Sequence, residues 1–148
     1  MVSKILVPSD GSKTAQKAAM YAADLAKQLK ASIIALCVID MRLFMDQNVP
    51  ISKALRDNKK SVEDYLKETA EGYVGEVKRL CNRGVAAKIS IKMGYPVEEI
   101  LKEAKKSKAN LIVMGSHGRS ALSATILGSV AYSVIHNDKS VPVLIVRD

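Results

Sequence analysis

Apolar residues occur along this chain in short runs, separated by turn formers and by longer segments of helical spacing. Lys4-Ile5-Leu6-Val7 is the first run, rich in branched side chains, and it stops at Pro8-Ser9-Asp10-Gly11-Ser12. That is the pattern of a buried strand ending in a loop. Asp10 or Ser12 can cap the next segment, where Ala15, Ala18, Ala19, Ala22, Leu25, Ala26 and Leu29 recur at helical spacing. Its small alanines suit a helix lying close to a sheet. Ser32 to Ile39 is apolar almost without alternation, as in a strand covered on both faces.

Residues 41 to 60 keep no period and contain Pro50, which predicts a variable loop leading into a helix. From Ser61, the positions Val62, Tyr65, Leu66, Thr69, Tyr73, Val77 and Leu80 hold one face to about Arg83. Gly72 and Gly75 weaken that helix and Gly84 reads as its terminator. Ala87 to Lys92 alternates as a strand with one more polar face, and Gly94-Tyr95-Pro96 turns the chain into a helix carrying Val97, Ile100, Leu101 and Ala104. Leu111 to Met114 is a fourth strand. Ile126, Leu127, Val130, Ala131 and Val134 form a last helix face, and Val141 to Val146 a fifth strand, with Pro142 to Val146 at the sheet edge.

Strands alternating with helices imply right-handed crossovers, hence a single doubly wound α/β domain over residues 1–148, a mostly parallel five-stranded sheet with helices on both faces. In such sheets ligands sit beyond the carboxyl ends of the strands, where strand order reverses. The loops to inspect are Pro8 to Ser12, the end of strand two near Val38, and Gly115 to Ser129.

Composition narrows the function classes. The chain has 148 residues, 48% of them apolar and 26% charged, which is ordinary globular make-up. No apolar run approaches the ~20 residues of a membrane span, and the start MVSKILVPSD lacks a secretory layout, so a soluble, cytoplasmic protein is expected. Cys37 and Cys81 have no CxxC spacing and read as two buried small hydrophobes. The net charge of +8 admits an anionic partner. Its lysines are scattered on helices with glutamates between them, and one Phe and five Tyr are too few for base-stacking platforms. Solvated helix faces are expected rather than a nucleic-acid surface.

Three of the eight glycines fall in VMGSHGRSALSATILGSV, residues 113 to 130. Gly115 and Gly118 bracket His117 directly after a strand, and Gly128-Ser129 opens or interrupts the last helix. Glycine permits close approach to the backbone, free N–H groups at a helix start attract phosphate oxygens, and a serine adds a hydroxyl donor. Singly, each glycine reads equally as a turn or as close packing. The spacing is neither GxxxxGK[ST] nor GxGxxG.

Taken together, the segment resembles the nucleotide loop of the universal stress protein family, which carries Gly, two residues, Gly, nine residues, Gly-Ser/Thr after strand four. KILVPSDGS, ALCVID and VPVLIVR are similar to that family's first, second and last strands, so the resemblance covers nearly the whole chain. It implies the strand order 3-2-1-4-5 and ATP, with Mg or Mn, as ligand. It further implies Pro8 and Asp10 beside the adenosine, the Val38 backbone at adenine, and Met114, Gly115, Gly118 and Arg119 along the ribose and phosphates. Gly128, Ser129 and Val130 would hold the phosphate chain through backbone N–H groups and the Ser129 hydroxyl. A homodimer through the terminal strand, acting as a nucleotide-dependent switch, is implied as well.

No dedicated catalytic set is visible. Asp10 could reach a metal and Arg119 or His117 the γ-phosphate, but Asp10 reads equally as a turn former and cap, Arg119 as a loop charge, and His117 as a ring facing solvent. A slow ATPase and a basic nucleic-acid-associated protein are the alternatives. Glu98, Glu99 and Glu103 beside Lys102 and Lys105 read as solvated pairs.

Overall fold

A computed structural model describes residues 1–42, 62–81, 84–118 and 127–148. In chain order its elements are β1 (Lys4–Pro8), α1 (Lys13–Leu29), β2 (Ser32–Asp40), α2 (Val62–Leu80), β3 (Ala87–Gly94), α3 (Pro96–Ser107), β4 (Leu111–Gly115), α4 (Ser129–Asn137) and β5 (Val143–Val146). The strands form one sheet in the order β3-β2-β1-β4-β5, every pair parallel. The doubly wound architecture expected from the alternation of patterns is the one observed.

Local chemistry sets most boundaries. Ser12 caps α1 by accepting from the Ala15 N–H at 3.3 Å. Pro96 occupies the first turn of α3, where its missing N–H costs nothing. Three boundaries differ from the sequence reading. β3 runs on to Gly94 because its whole length pairs with β2, and β5 begins only at Val143. Helix α4 starts at Ser129, so Leu127 lies before the cap and is exposed rather than on the helix face. Arg83, Ile126 and most of segment 41–60 lie outside the described residues.

Alternation along β1 divides the core. Ile5 and Val7 face the alanines of α1 and Val74 and Val77 of α2, whereas Leu6 faces Ile100 and Ala104 of α3 and Ala131 and Val134 of α4. Ile5, Leu6 and Val7 are completely buried, each contributing about 1.5–3 kcal/mol by removal from water. Neither Cys37 nor Cys81 is in a disulfide, and both are buried in the layer on the α1 and α2 side, as expected of small hydrophobes.

Candidate functional site

The sheet splits where β1 and β4 end. Their pairing covers Ile5 with Leu111 and Leu6 with Ile112 and stops two residues short of Pro8, which has no N–H to extend it. On the other side of β1 the ladder closes with Ser9 N–H donating to Leu36 O at 2.8 Å. Backbone groups alternate direction along a strand, so Val38, two residues beyond Leu36, points its N–H and C=O to the same side, past the end of β1. β2 runs on to Asp40, and the Val38 backbone therefore borders the split.

The segment after β4 is fastened from several directions. Ser116 N–H donates to Val146 O at 2.9 Å, and Gly128 N–H donates to Ser116 O at 2.6 Å. Thr14, buried in the first turn of α1, donates its hydroxyl to the His117 carbonyl. Three glycines make this packing possible. A Cβ on Gly115 would come within 2.5 Å of Thr14 Oγ1 and 2.8 Å of its backbone carbon; one on Gly128 would come within 2.8 Å of His117 Cα. Among the described residues, a Cβ on Gly118 would meet only the Asp10 carboxylate, at 2.6 Å. The glycine spacing thus brings Thr14, Asp10, His117 and the start of α4 against one another.

At that start Gly128 is the N-cap and supplies no side-chain hydrogen bond. The first-turn N–H groups of Ser129, Val130 and Ala131 have no acceptor among the described residues. The Gly128 N–H, expected to face phosphate, is instead taken by Ser116, because the two segments must close on each other to bring α4 to the sheet. His117 also departs from expectation. Its ring does not face solvent: the side chain is 13% exposed, with Nδ1 2.9 Å from Ser116 Oγ and Nε2 3.6 Å from an Asp148 carboxylate oxygen.

Of the remaining candidates, Asp10 is exposed and accepts from Ser12 N–H at 2.9 Å, holding the turn that leads into α1. Pro8 is half-buried beside it. The Met114 side chain is buried in the core on the α3 and α4 side, so only its backbone lies near the split. Arg119 lies outside the described residues. Glu103 is not a solvated pair but a nearly buried one, accepting from Ser90 Oγ at 3.3 Å and lying 4.0 Å from Lys92. Asp40 is bound by Arg42 at 2.5 Å; burial pushes its carboxyl up, but the hydrogen bonds and charge of Arg42 outweigh that and hold it below its usual value. Thr14 and Ser116 escaped the sequence reading. The available signal was Thr14 one turn before Ala18 and Ala22, a polar residue on the buried face of an alanine helix.

Among the described residues no group of three or more metal-ligating side chains converges, and no helix is long and apolar enough to cross a membrane.

This geometry has relatives. The universal stress protein family profile matches residues 1–147. Universal stress protein MJ0531 of Methanocaldococcus jannaschii is 35% identical over 148 residues, covering 99% of this chain and 83% of that one. MJ0577 of the same organism is 34% identical, covering 99% and 96%. Its solved structure superposes with a TM-score of 0.82 at 32% identity over 100% of this chain and 97% of that one. Two universal stress proteins of the same fold were solved with nucleotides. One, with cAMP, is 24% identical over 99% and 97% of the two chains with a TM-score of 0.63. The other, from Archaeoglobus fulgidus with dAMP, is 20% identical over 99% and 98% with a TM-score of 0.64. The chain belongs to the universal stress protein family.

Proposed function

We propose that this protein binds ATP in the β1–β4 split as a cytoplasmic homodimer and acts as a nucleotide-dependent switch in a stress response, one domain over residues 1–148. The observation that carries the reading is the start of α4. Its N–H groups, without an acceptor among the described residues, and the Ser129 hydroxyl are held at the mouth of the split by the Gly128–Ser116 bond, which is the arrangement that attracts phosphate oxygens. Ser129 and Val130 hold the phosphate chain, Gly115, Gly118 and Met114 contribute backbone along the ribose and phosphates, and the open Val38 backbone offers one donor and one acceptor to adenine. Pro8 and Asp10 close the adenosine side, and Arg119 stands with the phosphates.

Asp10 is a single carboxylate, a donor set that fits Mg or Mn carried in on the phosphates with most of its waters retained. Strand β5 is a sheet edge of four half-buried residues, and pairing with its copy satisfies its open backbone groups. Nucleotide occupancy then alters what the dimer presents to a protein partner; equal protease sensitivity of the Gly115 to Ser129 segment with and without ATP counts against that switch.

The test is calorimetric titration with magnesium-ATP of the parent and of Ser129→Asp. A carboxylate in the first turn favours the helix but repels phosphate, so folding is retained and affinity falls about tenfold or more. Saturable binding equally strong in the variant sinks the assignment of the phosphate site.

A further inference from the structure

Each of the four described helices runs from the carboxyl end of one strand to the amino end of the next, so these four end at the edge of the sheet opposite the split. Six exposed lysines stand at the ends of α1, α3 and α4: Lys27 and Lys30 on α1, Lys105, Lys106 and Lys108 on α3, and Lys139 after α4; Lys78 is exposed in the last turn of α2. Among the described residues none of the six makes a direct ion pair, whereas Lys17, Lys67, Arg79, Lys92 and Lys102 each do, although the charge of Lys105 reaches the Asp138 carboxylate. Asp138, beside Lys139 in sequence, has its Oδ1 bonded by the backbone N–H and hydroxyl of Ser140.

Basic residues at helix ends ordinarily offset the helix dipole. Four helices present about half a negative charge each, about two in all, which leaves most of six lysines unaccounted for. A second observation is independent of charge. Lys30 and Lys108 are the only non-glycine residues with positive φ among the described ones, at 54° and 57°. Glycine is the residue that relieves strain at such helix ends. The same device, Lys30-Ala31-Ser32-Ile33-Ile34 and Lys108-Ala109-Asn110-Leu111-Ile112, precedes the two strands flanking β1.

We propose that the strand-start end of the sheet docks a nucleic-acid duplex through its phosphodiester backbone, without reading sequence. Leu29, Met1 and Ile135 are among the large apolar side chains exposed there, while the exposed Tyr65 and Tyr95 stand at the starts of their helices, at the other end. One ring, that of His136 stacked on Tyr132, stands at the end of α4; a single ring is too little for a lipid interface or a base-stacking platform, and a phosphate lattice is what the face fits. A shallow groove between α3 and the α4–β5 connection is lined by Lys105, Lys108, Asn137 and Ser140 together with the carboxylates of Glu98 and Asp138. The charge read from the sequence as dispersed is in this respect gathered on one end.

The experiment is fluorescence anisotropy of labelled 24-base-pair mixed-sequence DNA and RNA duplexes across a salt series. Six phosphate contacts predict a slope of log affinity on log salt of about −5, falling to about −3 in Lys30→Gln/Lys105→Gln/Lys108→Gln. Ser129→Asp, at the opposite end, leaves the slope unchanged. Lys30→Gly/Lys108→Gly relieves the backbone, so Tm rises by roughly 2–4 °C per site while duplex affinity falls. No binding at 50 mM salt, full binding by the triple glutamine variant, or capture by phosphatidylserine vesicles but not by duplexes overturns the proposal.

Discussion

Thr14 Oγ1 donates a hydrogen bond to the backbone carbonyl of His117, tying the first turn of α1 to the segment that follows β4. Gly115 lies against the same threonine, and Gly128 lies against the Cα of the same histidine. One buried hydroxyl therefore sits under the whole candidate phosphate site. Thr14→Val keeps the shape but orphans that carbonyl, so it costs about 1–3 kcal/mol in urea denaturation and weakens ATP binding in the same protein. Thr14→Ser restores most of both; if valine is as stable as threonine, the tie does not hold the loop.

The glycines should separate by what their missing Cβ would meet. Gly115→Ala pushes into Thr14 backbone as well as its side chain, and costs about 1–3 kcal/mol. Gly118→Ala meets, among the described residues, only the movable Asp10 carboxylate and costs less. In α2, Gly72 and Gly75 face open space, so alanine at each raises stability by roughly 0.5–1 kcal/mol. Thermal melts of the four variants check the order; a stabilising Gly115→Ala contradicts it.

Both cysteines should be silent toward thiol reagents in the native protein. Cys37 and Cys81 are buried and neither is in a disulfide, and burial pushes the Cys81 thiol above its usual value, reducing the thiolate that reacts. Ellman's reagent at pH 8 is expected to titrate neither until denaturant is added, then both. Rapid reaction of the folded chain would show an opening that exposes the core on the α1 and α2 side.

Asp40 and Arg42 set part of the acid limb. The folded Asp40 carboxyl lies below its unfolded value, so its contribution to stability is present above the unfolded value and is lost as pH falls through the folded one. Arg42→Ala removes the side-chain hydrogen bonds and the charge, leaving burial opposed only by the backbone N–H of residue 42, and flattens the fall in stability between about pH 5 and pH 3. Much of the pair is exposed, so the change is small and is best read as a difference between two pH series. An unchanged acid limb in the variant would mean that the pair does not persist in solution.

The sequence by itself determined the element order and which faces are buried, because both follow from local periodicity: KILV and LIVM read as covered strands, and the alanines of α1 as a close-packed helix face. It also marked the loops near Pro8, Val38 and Gly128, since glycine, proline and serine act on their own stretch of backbone. Only the tertiary structure decided what those loops do to each other. That Gly128 N–H serves Ser116 and not a ligand, that His117 turns inward between Ser116 and Asp148, and that Thr14 underpins both, depends on contacts between residues up to about a hundred positions apart. The same is true of charge: spacing along the chain scatters the lysines among glutamates, and parallel helices ending on one edge of the sheet bring six of them together. Periodicity is a property of neighbours, while pairing and charge concentration are properties of the packed chain.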